Sequence, residues 1–286
     1  MVKEAPLIKP LSRKWRRAGV GVCWTVLFAC PSLFGQQPSV QQIIDKSVLA
    51  NEADFKAAAR FNWIETDQNG KGSKTFRVTT IEGTPYYRLI KVNGDPLSPA
   101  QDAQQAKKEQ QVIAHRRAES PAERQKRIET FEKERRRENA LIAQLTKAFN
   151  FTMVGVRQVS GYNVYVLKAT PLPGYKPPSM ETQVLTGMHG ELWIEQTTFH
   201  WVKVTAQVIH PVSIEGFLAE VEPGTQFELE NQPVNGGSTW QAAHFSMKSN
   251  ARVLHFFPRE SSEDETYTDY QPISTAAEKP EQTSRR

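Results

Sequence analysis

Cysteine is almost absent from this chain. There are two in 286 residues, Cys23 and Cys30, and both lie within the first thirty-five. From residue 36 onward there is no disulfide, no thiol nucleophile and no cysteine metal site to consider. A body of roughly 250 residues can bury an adequate core without cross-links. Long apolar runs are also lacking, since the most hydrophobic stretch, 20–30, falls short of the about 20 residues a spanning helix needs. No Gly-x-Ser-x-Gly elbow and no His-Glu-x-x-His pair is present. The loop 70–75, Gly-Lys-Gly-Ser-Lys-Thr, has no phosphate-loop ending and precedes a strand pattern, so it reads as a hairpin turn. The six histidines form no one-residue or four-residue pair, whereas a zinc site recruits three or four ligands. His244 and His255 fall on strand patterns that could be neighbours, and two imidazoles alone do not make such a site. No catalytic residue, metal or cofactor is expected, and the chain reads as a non-enzyme.

What the chain does have begins with charge at its start. Lys3, Lys9, Arg13, Lys14, Arg16 and Arg17 precede an uncharged stretch, 18–35, with small residues near its end. A basic leader, a short apolar run and small residues describe a secretory signal peptide over 1–35. Leu27-Phe28-Ala29-Cys30 approximates a lipobox, which would make Cys30 an acylation site. Cleavage near Gly35 would instead discard it, and the bulk of Phe28 weighs toward that second reading. Taking the six basic groups and one acidic group of 1–35 from totals of 36 and 31 leaves 30 of each. The sequence pI of about 9.1 therefore comes from the leader, and a general attraction to nucleic acid is not expected. Charge is instead local, with eleven basic and seven acidic residues between Lys107 and Glu138.

Beyond the leader the periodicity changes several times. Ser39-Val40-Gln41-Gln42 has capping-box form and opens an amphipathic helix over about 40–52. Alternating segments at 60–66, 75–81 and 84–92, the first followed by an Asn69-Gly70 turn and the last ending at Asn93-Gly94, read as a three-stranded meander. Two further capping boxes with proline at the first helical position, Ser98-Pro99 and Ser120-Pro121, open helices over 99–117 and 121–149. The second is charged at every angle until Leu141, Ile142, Leu145, Ala148 and Phe149 supply a docking face. Its end is expected to pack on the sheet while its middle projects. From Phe151 the chain is β again, through 151–159, 162–169, 191–196, 200–210 and further segments to 270. Prolines 171, 173, 177 and 178 keep one connection out of the sheet. The expectation is a single mainly β domain with helices (α+β) over 36–271, about ten or eleven strands in a curved antiparallel sheet. The helical insertion covers 98–149, and a polar, disordered tail covers 272–286.

The segments “GYNVYVLKATPLPGYKP” at 161–177, “GELWIE” at 190–195 and “HWVKVTAQV” at 200–208, in this order of parts, resemble the LolA/LolB-like superfamily of periplasmic lipoprotein carriers and outer-membrane lipoprotein-sorting proteins. The resemblance covers about 39–271. It implies a half-open barrel with a helical lid over an apolar cavity that holds acyl chains of lipid or lipoprotein. Trp63, Trp193, Phe217 and Phe227 are the candidate cavity-lining residues, and any association with a membrane would be peripheral. A second reading takes the fold as a periplasmic regulatory module that contacts another envelope protein through 107–138. In that version the cavity is small or filled. Intact-mass measurement on protein recovered from a bacterial envelope is expected to give a chain starting near Gln36. A chain starting at an acylated Cys30 would show an anchored lipoprotein instead.

Overall fold

The computed structural model describes residues 37–214, 219–253 and 257–273, and from Pro38 onward these form one unit. The leader with Cys30, the candidate Phe217, His255 and the tail from 274 lie outside the described residues. Helix α1, Val40–Ala58, starts as its capping box requires: the Ser39 hydroxyl accepts the Gln42 amide at 3.2 Å and the Gln42 side chain accepts the Ser39 amide at 2.9 Å. It runs past the expected end near 52, because Asp54 is held by a distant strand. The meander follows as β1 (Phe61–Asn69), β2 (Gly72–Ile81), β3 (Thr84–Val92) and the two-residue β4 (Asp95–Pro96). The turns after β2 and β3 carry positive φ at both central residues, Glu82-Gly83 and Asn93-Gly94, the conformation that matches strand twist in two-residue hairpins.

The insertion contains α2 (Pro99–Ala118), α3 (Pro121–Glu138) and α4 (Ala140–Ala148). The expected helix 121–149 is thus two helices, divided at Asn139 (φ −75°, ψ −5°). Then come β5 (Phe149–Val159), β6 (Tyr162–Pro171), a 3₁₀ turn at Glu181–Gly187, β7 (Met188–Glu195), β8 (Trp201–Val208), β9 (Val212–Ile214), β10 (Ala219–Val221), β11 (Gln226–Val234), β12 (Thr239–Val253) and β13 (Phe257–Pro272). The thirteen strands make one open antiparallel sheet in the order β4-β3-β2-β1-β13-β12-β11-β8-β7-β6-β5, with the β9–β10 hairpin attached to β12. The first strand therefore pairs with the last, and β13 extends one residue past the expected domain end at 271.

Period-two alternation gives this sheet two unlike faces. Leu167, Leu192, Val204 and Leu229 are direct cross-strand partners, and α1 lays Ile43 and Ile44 over the first three of them together with Ile194 and Trp201. Ile43, Leu167 and Ile194 are fully buried and Trp201 nearly so, each contributing about 1.5–3 kcal/mol. We call this the helix face and its opposite the open face. A smaller apolar group on the open face contains Val164, Val166 and Trp193.

The expected projection of the charged insertion is not seen, because arginines dock α2 and α3 onto the β2–β3 hairpin. The half-buried Arg116 guanidinium donates to the carbonyls of Ile81 (2.9 Å), Thr84 (2.7 Å) and Pro85 (3.2 Å). Arg127 donates to the Glu82 carbonyl, to the Thr84 hydroxyl at 2.6 Å and to the Glu119 carboxylate. Arg88 reaches back to Asp102 and Glu109, and Arg135 donates to the Phe55 carbonyl at the end of α1 at 2.5 Å. A helix without a buried apolar stripe is held here by charge-assisted bonds. Arg116→Ala removes three donors from partly buried carbonyls and is expected to lower stability by about 2–3 kcal/mol. The melting temperature should fall by roughly 4–12 °C, with new tryptic cleavage between 99 and 138. An unchanged melting temperature would show that the docking does not depend on this residue.

Candidate binding site

The candidate site lies where α4 covers the helix face. Leu145 packs there against Phe151, Phe149, Leu185 and Met188, the docking surface that the apolar spacing at the end of the insertion marks. Beneath it is an apolar-walled cavity of about 40 Å³, bounded by Leu145, Phe149, Met188, Leu192, Ala206 and Phe227 among others. That is close to the volume share of one water molecule, about 30 Å³. In this conformation the cavity is too small for an acyl chain.

The cover is weakly tied. The side chain of Asn139 makes no capping bond at the start of α4. The hydroxyl of Tyr175 donates to Gln144 at a long 3.4 Å, and the Leu172 amide donates to the Ala148 carbonyl at 2.7 Å. No arginine clamp comparable to those of α2 and α3 holds α4 among the described residues.

The three described cavity candidates do not share one place. Phe227 pairs with Ala206, and Ala206 with Gly190, so its side chain is on the helix face, under α4. Trp63 is on the same face but far along the sheet, stacked on Tyr270 (centroids 6.3 Å) and edge-on to Tyr87 (6.5 Å). Trp193 pairs with Val166 and Lys203, which puts it on the open face. Its indole donates to Glu191 at 3.1 Å, and Arg157 lies over its ring at 5.6 Å.

The open face carries a groove of about 930 Å³ that crosses six strands and the β1 hairpin tip. Two adjacent rows of cross-strand partners form its floor. One is Lys168, Glu191, Thr205, Glu228, Ser246 and Asp264; the other is His189, Gln207, Gln226, Lys248 and Ser262. Phe227 and Met247 border it through their backbone, since their side chains alternate to the helix face. Lys203 bonds both Glu228 (2.6 Å) and Glu230 (2.9 Å), and His244 bonds Asp264 at 3.0 Å. Burial works against the Lys203 ammonium, but those two carboxylates outweigh it and hold its pKa above the ordinary lysine value. Such a floor keeps water and suits polar chains, not acyl chains.

A third feature escapes sequence reading altogether. At the β1–β13 seam, Asp67 sits directly opposite Glu265, and Glu65 opposite Tyr267. Like charges in facing positions repel. The Trp63 indole donates to Glu65 at 2.9 Å and the Tyr267 hydroxyl donates to Glu265, while one Asp67 oxygen is buried without a partner. Burial, first, and then the charges of Asp67 and Glu265 push Glu65 up to about 7, against the Trp63 bond that lowers it. Among the described residues no group of three or more His, Cys, Asp or Glu is arranged to hold a metal ion, and no helix is long and apolar enough to cross a membrane.

No family model matches the chain, and no curated protein matches it in sequence. Solved structures do. The chain is similar to a LolA superfamily protein from Nitrosomonas europaea, at 10% identity over 83% of this chain and 94% of that one, with a TM-score of 0.31. It is similar to an outer-membrane lipoprotein-sorting protein domain from Vibrio parahaemolyticus, at 11% identity over 82% and 95%, TM-score 0.31. It is also similar to a chain of the Pseudomonas aeruginosa MucA/MucB complex, at 10% identity over 80% and 99%, TM-score 0.24. The site rests on its own residues.

The seam makes stability depend on pH in a definite direction. Glu65 has its pKa raised from 4.5 to about 7 in the folded chain, so the folded state holds the proton more tightly than the unfolded state. Its contribution is fully present below pH 4.5 and is lost as pH rises to about 7. After discounting for solvent screening the loss is about 1–2 kcal/mol. Urea midpoints measured from pH 4.5 to 8.5 should fall across that window, and Glu65→Gln should flatten the fall. An identical pH slope in the variant would rule Glu65 out as its source.

Proposed function

We propose that this chain is a non-catalytic binding protein of the bacterial cell envelope, taking acyl chains of lipid or lipoprotein between α4 and the helix face. One observation supports this most. An apolar cavity and a lightly tethered covering helix coincide at a single place, next to Phe227. The covering helix is α4 alone, since α2 and α3 are clamped to the β2–β3 hairpin by Arg116 and Arg127. Magnitudes favour opening by cargo. Withdrawing the few apolar side chains of α4 costs about 1.5–3 kcal/mol each. A chain of sixteen carbons gains about 0.8 kcal/mol per buried methylene, roughly 12 kcal/mol in all. A ligand with that difference shifts a closed population to an open one.

The small size of the cavity, about 40 Å³, favours a second reading, an interaction module that carries no lipid. Its contact surface would be the outward side of α2 and α3, where Lys107, Lys108, Lys126, Lys133 and Arg136 are exposed and would attract an acidic partner.

Protein purified from an envelope is expected to release stoichiometric lipid on solvent extraction and to bind a fluorescent fatty acid. Phe227→Asp should weaken that binding at least tenfold, while Trp193→Ala, on the other face, should change it less than twofold. Protein that is lipid-free and binds no probe would sink the acyl-chain reading and leave the interaction module.

A further inference from the structure

The two ends of the open sheet are built differently. One edge is β4, two residues long, next to a strand whose turn is covered by α2 and α3. The other is β5, eleven residues long, hydrogen-bonded to β6 on one side only. Natural sheets protect long edges with charge, proline or coverage. Between Phe149 and Val159 there is no proline and no acid, and the one base, Arg157, is turned onto the ring of Trp193 at 5.6 Å. Met153 (40% exposed), Val154 (47%) and Val156 (51%) stand in solvent along this edge. Met153 and Val156 pair with Leu167 and Tyr165, so they extend the apolar helix face outward beyond the cover of the helices.

We propose that β5 is an interaction surface, and that its occupant is the β5 strand of a second copy of this chain, paired antiparallel about a twofold axis. Three features select that occupant. The edge carries a single charge, Arg157, which lies over the Trp193 ring of its own chain, so little charge is left to select a different sequence. Antiparallel self-pairing with Met153 opposite Val156 of the second copy keeps both helix faces on one side and their apolar residues in contact. The same register sets Arg157 opposite Thr152, so like charges do not meet. Growth stops at two copies because the twofold pairing uses up the β5 edge of each copy. The contact is isologous and closed. The bulge at Met153–Gly155 sits at the centre of the pair and bends both strands alike.

Light scattering on the protein recovered from the periplasm, between 1 and about 100 μM, is expected to show a dimer. Val156→Lys puts a charge into the seam and should weaken dimerisation at least tenfold, with an unchanged far-ultraviolet circular dichroism spectrum. As a check that does not rest on disruption, the double variant M153C/V156C should oxidise to a covalent dimer. The chain from 36 onward has no other thiol. A monomer at every concentration overturns the proposal. So does a dimer that Val156→Lys leaves intact and that the cysteine pair does not cross-link.

Discussion

The amide of Trp240 donates to the carboxylate of Asp54 at 2.9 Å, across 186 positions of sequence. This bond ties the last turn of α1 to the start of β12, and the rest of the structure depends on it. The same carboxylate faces His200 at 3.5 Å, whose ring is stacked on Trp240 at 5.6 Å, and the Gln241 side chain donates to the Asp54 carbonyl at 3.0 Å. With its far end fixed, α1 must lie across the strands, and Ile43 and Ile44 must fall on Leu167, Leu192 and Trp201. An open sheet needs such a cover, because a half-apolar face left in water does not hold a single structure. Seating α1 therefore decides which face is apolar, where α4 can dock and where the polar groove must be.

The helical insertion then divides by attachment rather than by sequence. The helices α2 and α3 have only a few half-buried apolar side chains, among them Ile128 against Gly83, so they hold on mainly through guanidinium groups that reach backbone carbonyls at a hairpin end. Such bonds are directional and fix a position. The short α4 holds on through side chains such as Leu145, and apolar contact is not directional. It can be exchanged for contact with another apolar body at little net change. Stiff helices flanking a loosely held one is a workable arrangement for admitting cargo at one place while the sheet stays intact. The polar groove on the opposite face takes no part in that exchange, since Glu228 is held by Lys203 and Asp264 by His244.

Local signals in the sequence carried a great deal. The capping boxes at Ser39, Ser98 and Ser120 each set a helix start, and the Asn93-Gly94 and Ser160-Gly161 turns each set a hairpin, because these depend on neighbours three or four residues away. The break at Asn139 left no signal, since its backbone stays in helical space and no proline or glycine marks it. β12 reads as two segments around Ser249-Asn250, yet it is one strand. Thr225 accepts the Asn250 amide at 2.9 Å and donates to the Asn250 carbonyl at 2.9 Å, carrying the ladder through a polar dipeptide. Alternation shows which side of its own strand Trp193 or Phe227 takes. It does not relate one strand to another, because bulges at Trp193–Ile194 and Glu230–Asn231 shift the count.

The least legible feature, the carboxylate seam, follows from topology. The meander β1–β4 joins the rest of the sheet through β13 alone, so its attachment waits until the last strand is in place. Pairings between the two ends of a chain close the longest loop and form late. At that late step Asp67 is brought opposite Glu265, and Glu65 loses water beside both. The attraction that overcomes this comes from rings, with Trp63 stacked on Tyr270 and Phe61 edge-on to Tyr270 at 6.2 Å. A proton on Glu65, which the closed seam holds more tightly than water does, removes one of its three repelling charges. The seam is thus the place where the protonation state of the surroundings acts most directly on whether the meander stays joined to the sheet.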